Sequence, residues 1–285
     1  MSSDFFSVLL SSGDGVFRDS RALDFDYVPE CFDYRDGELS HMGRCVLPLL
    51  RGGSPEHCII RGIPAVGKST AVRKLFDEIV DTSSDIFCSR IDCHVHNTHS
   101  SILNVLHEDV IGHPPKLGGS KNDMYQNIVS TLKKKNDSLI VALDDADKLF
   151  SDTNDANKLF YDLLRANELY HVKICLFAIV SKVNFKFKLK PEVSTVFIPH
   201  EIIFEPYTFD QMYSILDKRA EIAFYPDCLE DDALSLVVES CMATNDLRYG
   251  IKILSSAANL AISKNCDKIC KNHIIETINT LKYSH

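Results

Sequence analysis

The sequence predicts an α/β base with a parallel sheet, followed by a small all-helical domain. Three observations carry this. After residue 55, short apolar runs alternate with amphipathic helical segments as far as about residue 205, the pattern of parallel strands joined by helical crossovers. One strand-to-helix junction holds Gly62-Ile63-Pro64-Ala65-Val66-Gly67-Lys68-Ser69-Thr70, a complete G-x-x-x-x-G-K-[ST] run. Beyond Pro206 only helix-period segments remain. The boundary near Glu205-Pro206-Tyr207 divides the chain into a base over 1–205 and a helical domain over 206–285.

The elements follow in order. Cys58-Ile59-Ile60 is a short apolar strand leading into the glycine-containing loop. The next helix runs from Lys68 to about Val80, with Val72, Leu75, Phe76 and Ile79 forming one buried stripe at i, i+3, i+4, i+7. A strand over Ile86–Asp92 and a helix near Ser100–Val110 come next, then a turn-rich break from Gly112 to Gly119. A helix over about Asp123–Lys134 precedes Ser138–Leu143, apolar enough to be a central parallel strand. A helix near Asp155–Leu169, a buried strand over Lys173–Val180 and a last strand at Glu201–Phe204 complete the base. Helices near Thr208–Phe224, Glu230–Ala243, Asn245–Ser263 and Lys268–Leu281 make the second domain, with Asp210, Asp227 and Asn245 near their starts.

Composition narrows the class. Of 285 residues, 45% are hydrophobic and 25% charged, as in an ordinary globular protein. No apolar run reaches membrane-spanning length, and residues 1–10 carry an acid and no basic segment, so neither a membrane span nor a signal peptide is expected. The expected compartment is the cytoplasm, where the ten cysteines stay mostly reduced. A net charge of −9 argues against broad, non-specific nucleic-acid binding. Lys133-Lys134-Lys135 reads as a solvated helix end. Lys182 to Lys190 alternates lysines with Phe185, Phe187 and Leu189, which places the two kinds of side chain on opposite sides. Cys266, Cys270 and His273 have a spacing that fits one helix face, and Cys93, His94, His96 and His99 follow a strand. Neither group has a paired C-x-x-C partner, so both read as core thiols and surface histidines.

The loop defines the chemistry. Its glycines let backbone N–H groups turn toward phosphate oxygens, and the helix that follows adds its positive end. Lys68 is expected on the β- and γ-phosphates of ATP or ADP, and Ser69 on Mg²⁺. Asp144 sits at the carboxyl end of the most apolar strand, where open α/β sheets bind ligands, and is placed to hold Mg²⁺ opposite Ser69. Asp145 is the candidate for orienting the attacking water.

These residues, with others along nearly the whole chain, resemble the archaeal origin-recognition/cell-division-control initiators, a family of AAA+ ATPases. Val16-Phe17-Arg18-Asp19, Leu23 and Tyr27-Val28-Pro29 resemble the family's N-terminal segment, which lies near the adenine. Arg35 and Glu38 resemble its next helix start. Leu143-Asp144-Asp145-Ala146-Asp147-Lys148-Leu149, Leu159–Arg165 and Phe204–Thr208 follow in family order, and Asn245-Asp246-Leu247-Arg248 is similar to the second sensor of the helical lid. The resemblance implies that Tyr27, Val28 and Pro29 contact nucleotide and that Arg248 reaches the γ-phosphate. It also implies possible partners among other initiator subunits or a replicative helicase.

Departures from the family pattern carry expectations of their own. The second acid is aspartate where glutamate is usual. Lys182 follows Ser181 where the first sensor is normally asparagine, and Glu192 stands at a basic position offered to a neighbouring subunit. Slow or absent turnover is therefore expected. Family members continue into a winged-helix domain, whereas this sequence stops at His285, so weak or indirect DNA binding is expected. Two mechanisms stay open: an active ATPase that remodels proteins at origins, and a regulatory paralogue that holds nucleotide and a partner without turnover. An ATPase of transposon or defence type is disfavoured by the N-terminal and lid segments.

Overall fold

The computed structural model describes residues 15–29, 32–116 and 118–282. Residues 1–10, read above for a leader, Leu117 of the turn-rich break and the terminal His285 lie outside them. The described residues form two compact units, one within 34–205 and one combining those before Tyr34 with those from Pro206 onward.

The base unit is a five-stranded parallel sheet. Its strands are β1 (Cys58–Arg61), β2 (Ile86–Asp92), β3 (Ser138–Asp144), β4 (Ile174–Val180) and β5 (His200–Ile203), in the spatial order β2-β3-β4-β1-β5. β4 is buried throughout and β3 at every residue after Ser138, as expected of central strands covered on both faces. Helices α1 (Asp36–Leu50), α2 (Lys68–Thr82), α3 (His99–Ile111), α4 (Lys121–Lys135), α5 (Thr153–Tyr170) and the single turn α6 (Pro191–Ser194) complete it. Capping boxes at Thr98 and Ser120 start α3 and α4, and the Asp152 carboxylate caps α5.

Helices α7 (Phe209–Ala223), α8 (Asp231–Thr244), α9 (Leu247–Ser263) and α10 (Lys271–Lys282) form the helical unit. The N-terminal segment is part of it. Val16, Ala22 and Leu23 share a core with Leu216, Val237, Leu254 and Ile274, and Arg18 N donates to Ala223 O at 2.7 Å. The sequence groups this segment with the base over 1–205, because its own apolar residues are too few to show which core they join.

Local differences are instructive. Residues 182–190 form no strand, yet the period-two reading of their sides holds. Phe185, Phe187 and Leu189 pack onto the base core, joining Phe150, Phe160 and Phe197, while the lysines stay exposed. Cys266 and Cys270 do not share a helix face with His273, because α10 starts only at Lys271. Instead Cys270 N donates to His273 Nδ1 at 3.2 Å, closing the turn that opens the helix.

Candidate nucleotide-binding site

The loop between β1 and α2 holds the backbone conformations its glycines permit. Gly67 has φ +92° as the N-cap of α2 and supplies no side chain to its first N–H groups, so those donors stay available for an anion. Gly62 has φ +157°, and a Cβ there would lie 2.6 Å from Phe204 O, so only glycine fits. Ala65 also has a positive φ, 63°, an uncommon backbone state for a residue with a side chain, of the kind found at binding sites. Lys68 is buried and its Nζ donates to Gly62 O at 2.7 Å and Ile63 O at 2.8 Å, which bends the ammonium back over the loop. Ser69 and Thr70 follow on the first turn of α2, both half-buried.

The acids stand where expected, at the carboxyl end of β3, but in company the sequence did not announce. Asp144 is nearly buried, and its Oδ2 accepts from Arg90 Nη1 of β2 at 2.8 Å. Asp145 takes a left-handed backbone, φ 51°, and both its oxygens are engaged: Oδ1 accepts from Ser181 Oγ at 2.6 Å, and Oδ2 lies 3.2 Å from His94 Nε2. Lys182 pairs with Asp147 Oδ2 at 3.3 Å, while the buried Asp147 Oδ1 has no hydrogen-bond partner. Arg90 gives no sequence signal beyond being a charge in an otherwise mostly apolar strand. The parallel pairing of Arg90 with Ala142 places it two residues short of Asp144 on the neighbouring strand.

These groups suit a magnesium nucleotide. Hydroxyl and carboxylate oxygens from Ser69 and Asp144 are the hard donors Mg²⁺ takes, and a buried ammonium beside uncapped helix N–H groups suits polyphosphate. Of the other sequence-assigned residues, Tyr27, Val28, Pro29 and Arg248 belong to the helical unit. Tyr27 is half-buried, with the Arg219 guanidinium 4.5 Å above its ring. Burial pushes the Arg219 pKa down to about 10. Arg248 is exposed on the first turn of α9, where its N–H donates to the capping Asp246.

A phosphate loop and a strand-end acid pair on a β2-β3-β4-β1-β5 parallel sheet, followed by a helical unit, define an AAA+ nucleotide-binding module. Family models agree: an AAA domain matches residues 51–180 and a Cdc6 AAA+ ATPase-type lid domain matches 213–279. The ORC1-type DNA replication protein 2 of Methanothermobacter thermautotrophicus is 37% identical over 93% of this chain and 70% of its own length. The chain belongs to the ORC1-type DNA replication protein family. It spans 64% of the length of the Methanosarcina acetivorans relative, which is 32% identical. Among solved structures, the Aeropyrum pernix ORC1 protein in complex with DNA superposes with a TM-score of 0.83 at 25% identity, covering 94% of this chain and 70% of that one. The A. pernix ORC2 protein in ADPNP–ADP complexes shares the fold, with a TM-score of 0.81 at 23% identity over 93% of this chain and 73% of that one. Among the described residues no helix is long and apolar enough to cross a membrane.

Proposed function

We propose that this protein is a nucleotide switch of the replication-initiator class, which binds ATP or ADP with Mg²⁺ and hydrolyses ATP slowly. The observation that carries slow turnover is the state of Asp145. With Oδ1 on Ser181 and Oδ2 on His94, neither carboxylate oxygen is held for a water, and aspartate is one methylene shorter than the glutamate usual in the family. Lys68 and the N–H groups of α2 bind the phosphates, and Ser69 and Asp144 hold the metal. When bound, Mg²⁺ neutralises charge on the β- and γ-phosphoryl oxygens. Asp145 orients water only after leaving one of its two partners.

The family resemblance assigns Tyr27, Val28 and Pro29 to the adenine and Arg248 to sensing the γ-phosphate. Replacing Arg248 by alanine should then reduce the preference for ATP over ADP. Family membership, and the DNA complex of the Aeropyrum relative, support work at replication origins beside other initiator subunits or the replicative helicase.

The test is the identity of the nucleotide released by denaturation after loading with Mg²⁺-ATP and incubation for hours. Persistent ATP supports the slow switch. Steady conversion to ADP refutes the slow-turnover reading, and absence of any nucleotide refutes the site.

A further inference from the structure

At the amino edge of the sheet, away from the phosphate loop, lies a second group of metal-type ligands. Cys45 Sγ of α1, a carboxylate oxygen of Glu56 and a ring nitrogen of His200 all lie within 4.8 Å of one another. Glu56 Oε2 is 2.9 Å from His200 Nε2. His41 sits one helical turn before Cys45, and its ring centroid is 5.8 Å from that of His200. Two imidazoles on one tetrahedral zinc, with Zn–N near 2.0 Å, have centroids roughly 5 Å apart; His41 lies outside the group whose ligand atoms are within 4.8 Å of one another, so its ring must swing in to bind.

From this arrangement we infer that Cys45, Glu56 and His200, with His41 as a fourth ligand, form a binding site for one zinc-class transition-metal ion. The mixed sulfur, nitrogen and oxygen donor set selects Zn²⁺ or Co²⁺ over Mg²⁺ or Ca²⁺. Tetrahedral bonds of about 2.0–2.3 Å put ligand atoms roughly 3.3–3.7 Å apart, so pairs up to 4.8 Å apart must close by roughly 1.5 Å at most, while the Glu56–His200 pair, at 2.9 Å, must open slightly. Glu56 and His200 have about half their side chains exposed, at 49% and 48%, which leaves them free to close and gives an ion a way in.

The backbone around the ligands is already tied together. Glu56 N donates to Cys45 O at 3.3 Å, His200 N to His57 O at 2.8 Å, and Cys175 Sγ to Glu56 O at 3.2 Å. His200 is in register with Cys58, the first residue of β1, so the parallel β1–β5 pair fixes where the imidazole starts. On binding, the Cys45 S–H bond breaks, the sulfur–metal bond forms and the proton leaves to solvent. As a bare surface pair, Glu56 and His200 would contribute little to stability.

The test titrates the full chain, metal-stripped and kept in reductant, with Co²⁺ and then Zn²⁺. One Co²⁺ per chain should bind with a thiolate-to-cobalt charge-transfer band, and Zn²⁺ should displace it. Cys45→Ser should abolish the band. His200→Ala, at an exposed position that leaves the core intact, should weaken Co²⁺ binding at least tenfold and keeps the test valid if Cys45→Ser fails to fold. Glu56→Gln should weaken it in the same direction, and Cys270→Ser should leave the band unchanged. Absence of a charge-transfer band, its survival in Cys45→Ser, its loss in Cys270→Ser, or an affinity within twofold in His200→Ala would each overturn the assignment.

Discussion

Replacing Arg90 by alanine should make the protein hold Mg²⁺ more tightly and the fold less stable. Arg90 Nη1 and Asp144 Oδ2 are 2.8 Å apart, with 34% and 12% of the two side chains exposed. Unit charges about 4 Å apart near a protein surface attract by about 4 kcal/mol before desolvation. The net worth of a charged hydrogen bond is about 1.5–3 kcal/mol. A divalent cation approaching Asp144 must break that contact or sit beside a guanidinium, so it gives up an amount of this order. Removing Arg90 should therefore raise Mg²⁺ affinity in the nucleotide-loaded protein roughly 10- to 100-fold, at about 1.4 kcal/mol per decade. Without ligand the same change leaves a nearly buried carboxylate without its cation, costing about 1–3 kcal/mol of stability. The assay is nucleotide binding as a function of Mg²⁺ concentration, by calorimetry or a fluorescent ATP analogue, with a thermal melt of the metal-free protein alongside. Arg90→Lys, which keeps the charge but not the fork, should fall between. Unchanged or weaker Mg²⁺ affinity in Arg90→Ala would refute the competition and leave Arg90 a structural partner of Asp144.

Four further outcomes test other parts of the molecule. Lys68→Ala removes a buried ammonium from the phosphate site and should cost about 2–5 kcal/mol of nucleotide affinity, roughly 30- to 5,000-fold, read by the same titration. Asp145→Glu should lift single-turnover ATP hydrolysis, and Ser181→Ala should do so less; no rise in either means that the engaged, short acid does not limit the rate. Gly250→Ala would put a Cβ 2.4 Å from Cys241 Sγ and 2.9 Å from Leu216 Cδ1, where α9 crosses its neighbours, and should lower stability by about 1–3 kcal/mol in thermal unfolding. Gly43→Ala in α1, with nothing within 4 Å, should instead gain about 0.5–1 kcal/mol.

The phosphate loop was legible because its information is local. Gly62, Gly67, Lys68 and Ser69 act through backbone torsions and a helix start that nine consecutive residues determine. β3 and β4 were legible for a related reason, since buried parallel strands are apolar runs whose length marks their ends. What surrounds the acids depends instead on register. Arg90 reaches Asp144 only because β2 pairs with β3 so that Asp92 faces Asp144, and a shift of one residue would turn Arg90 to the other face of the sheet. His94 reaches Asp145 from the turn that ends the same strand, and Ser181 from the end of β4. The Cys45, Glu56 and His200 group is harder still. Glu56 and His200 lie 144 positions apart and meet only because β1 and β5, distant in sequence, are sheet neighbours. Spacing analysis looks for ligands within a few turns, so it weighs groups such as Cys266, Cys270 and His273, read as core thiols and a surface histidine, whose shared helix face does not form. A metal site assembled across parallel strands leaves no periodic trace, and the order of strands in the sheet is what brings it into view.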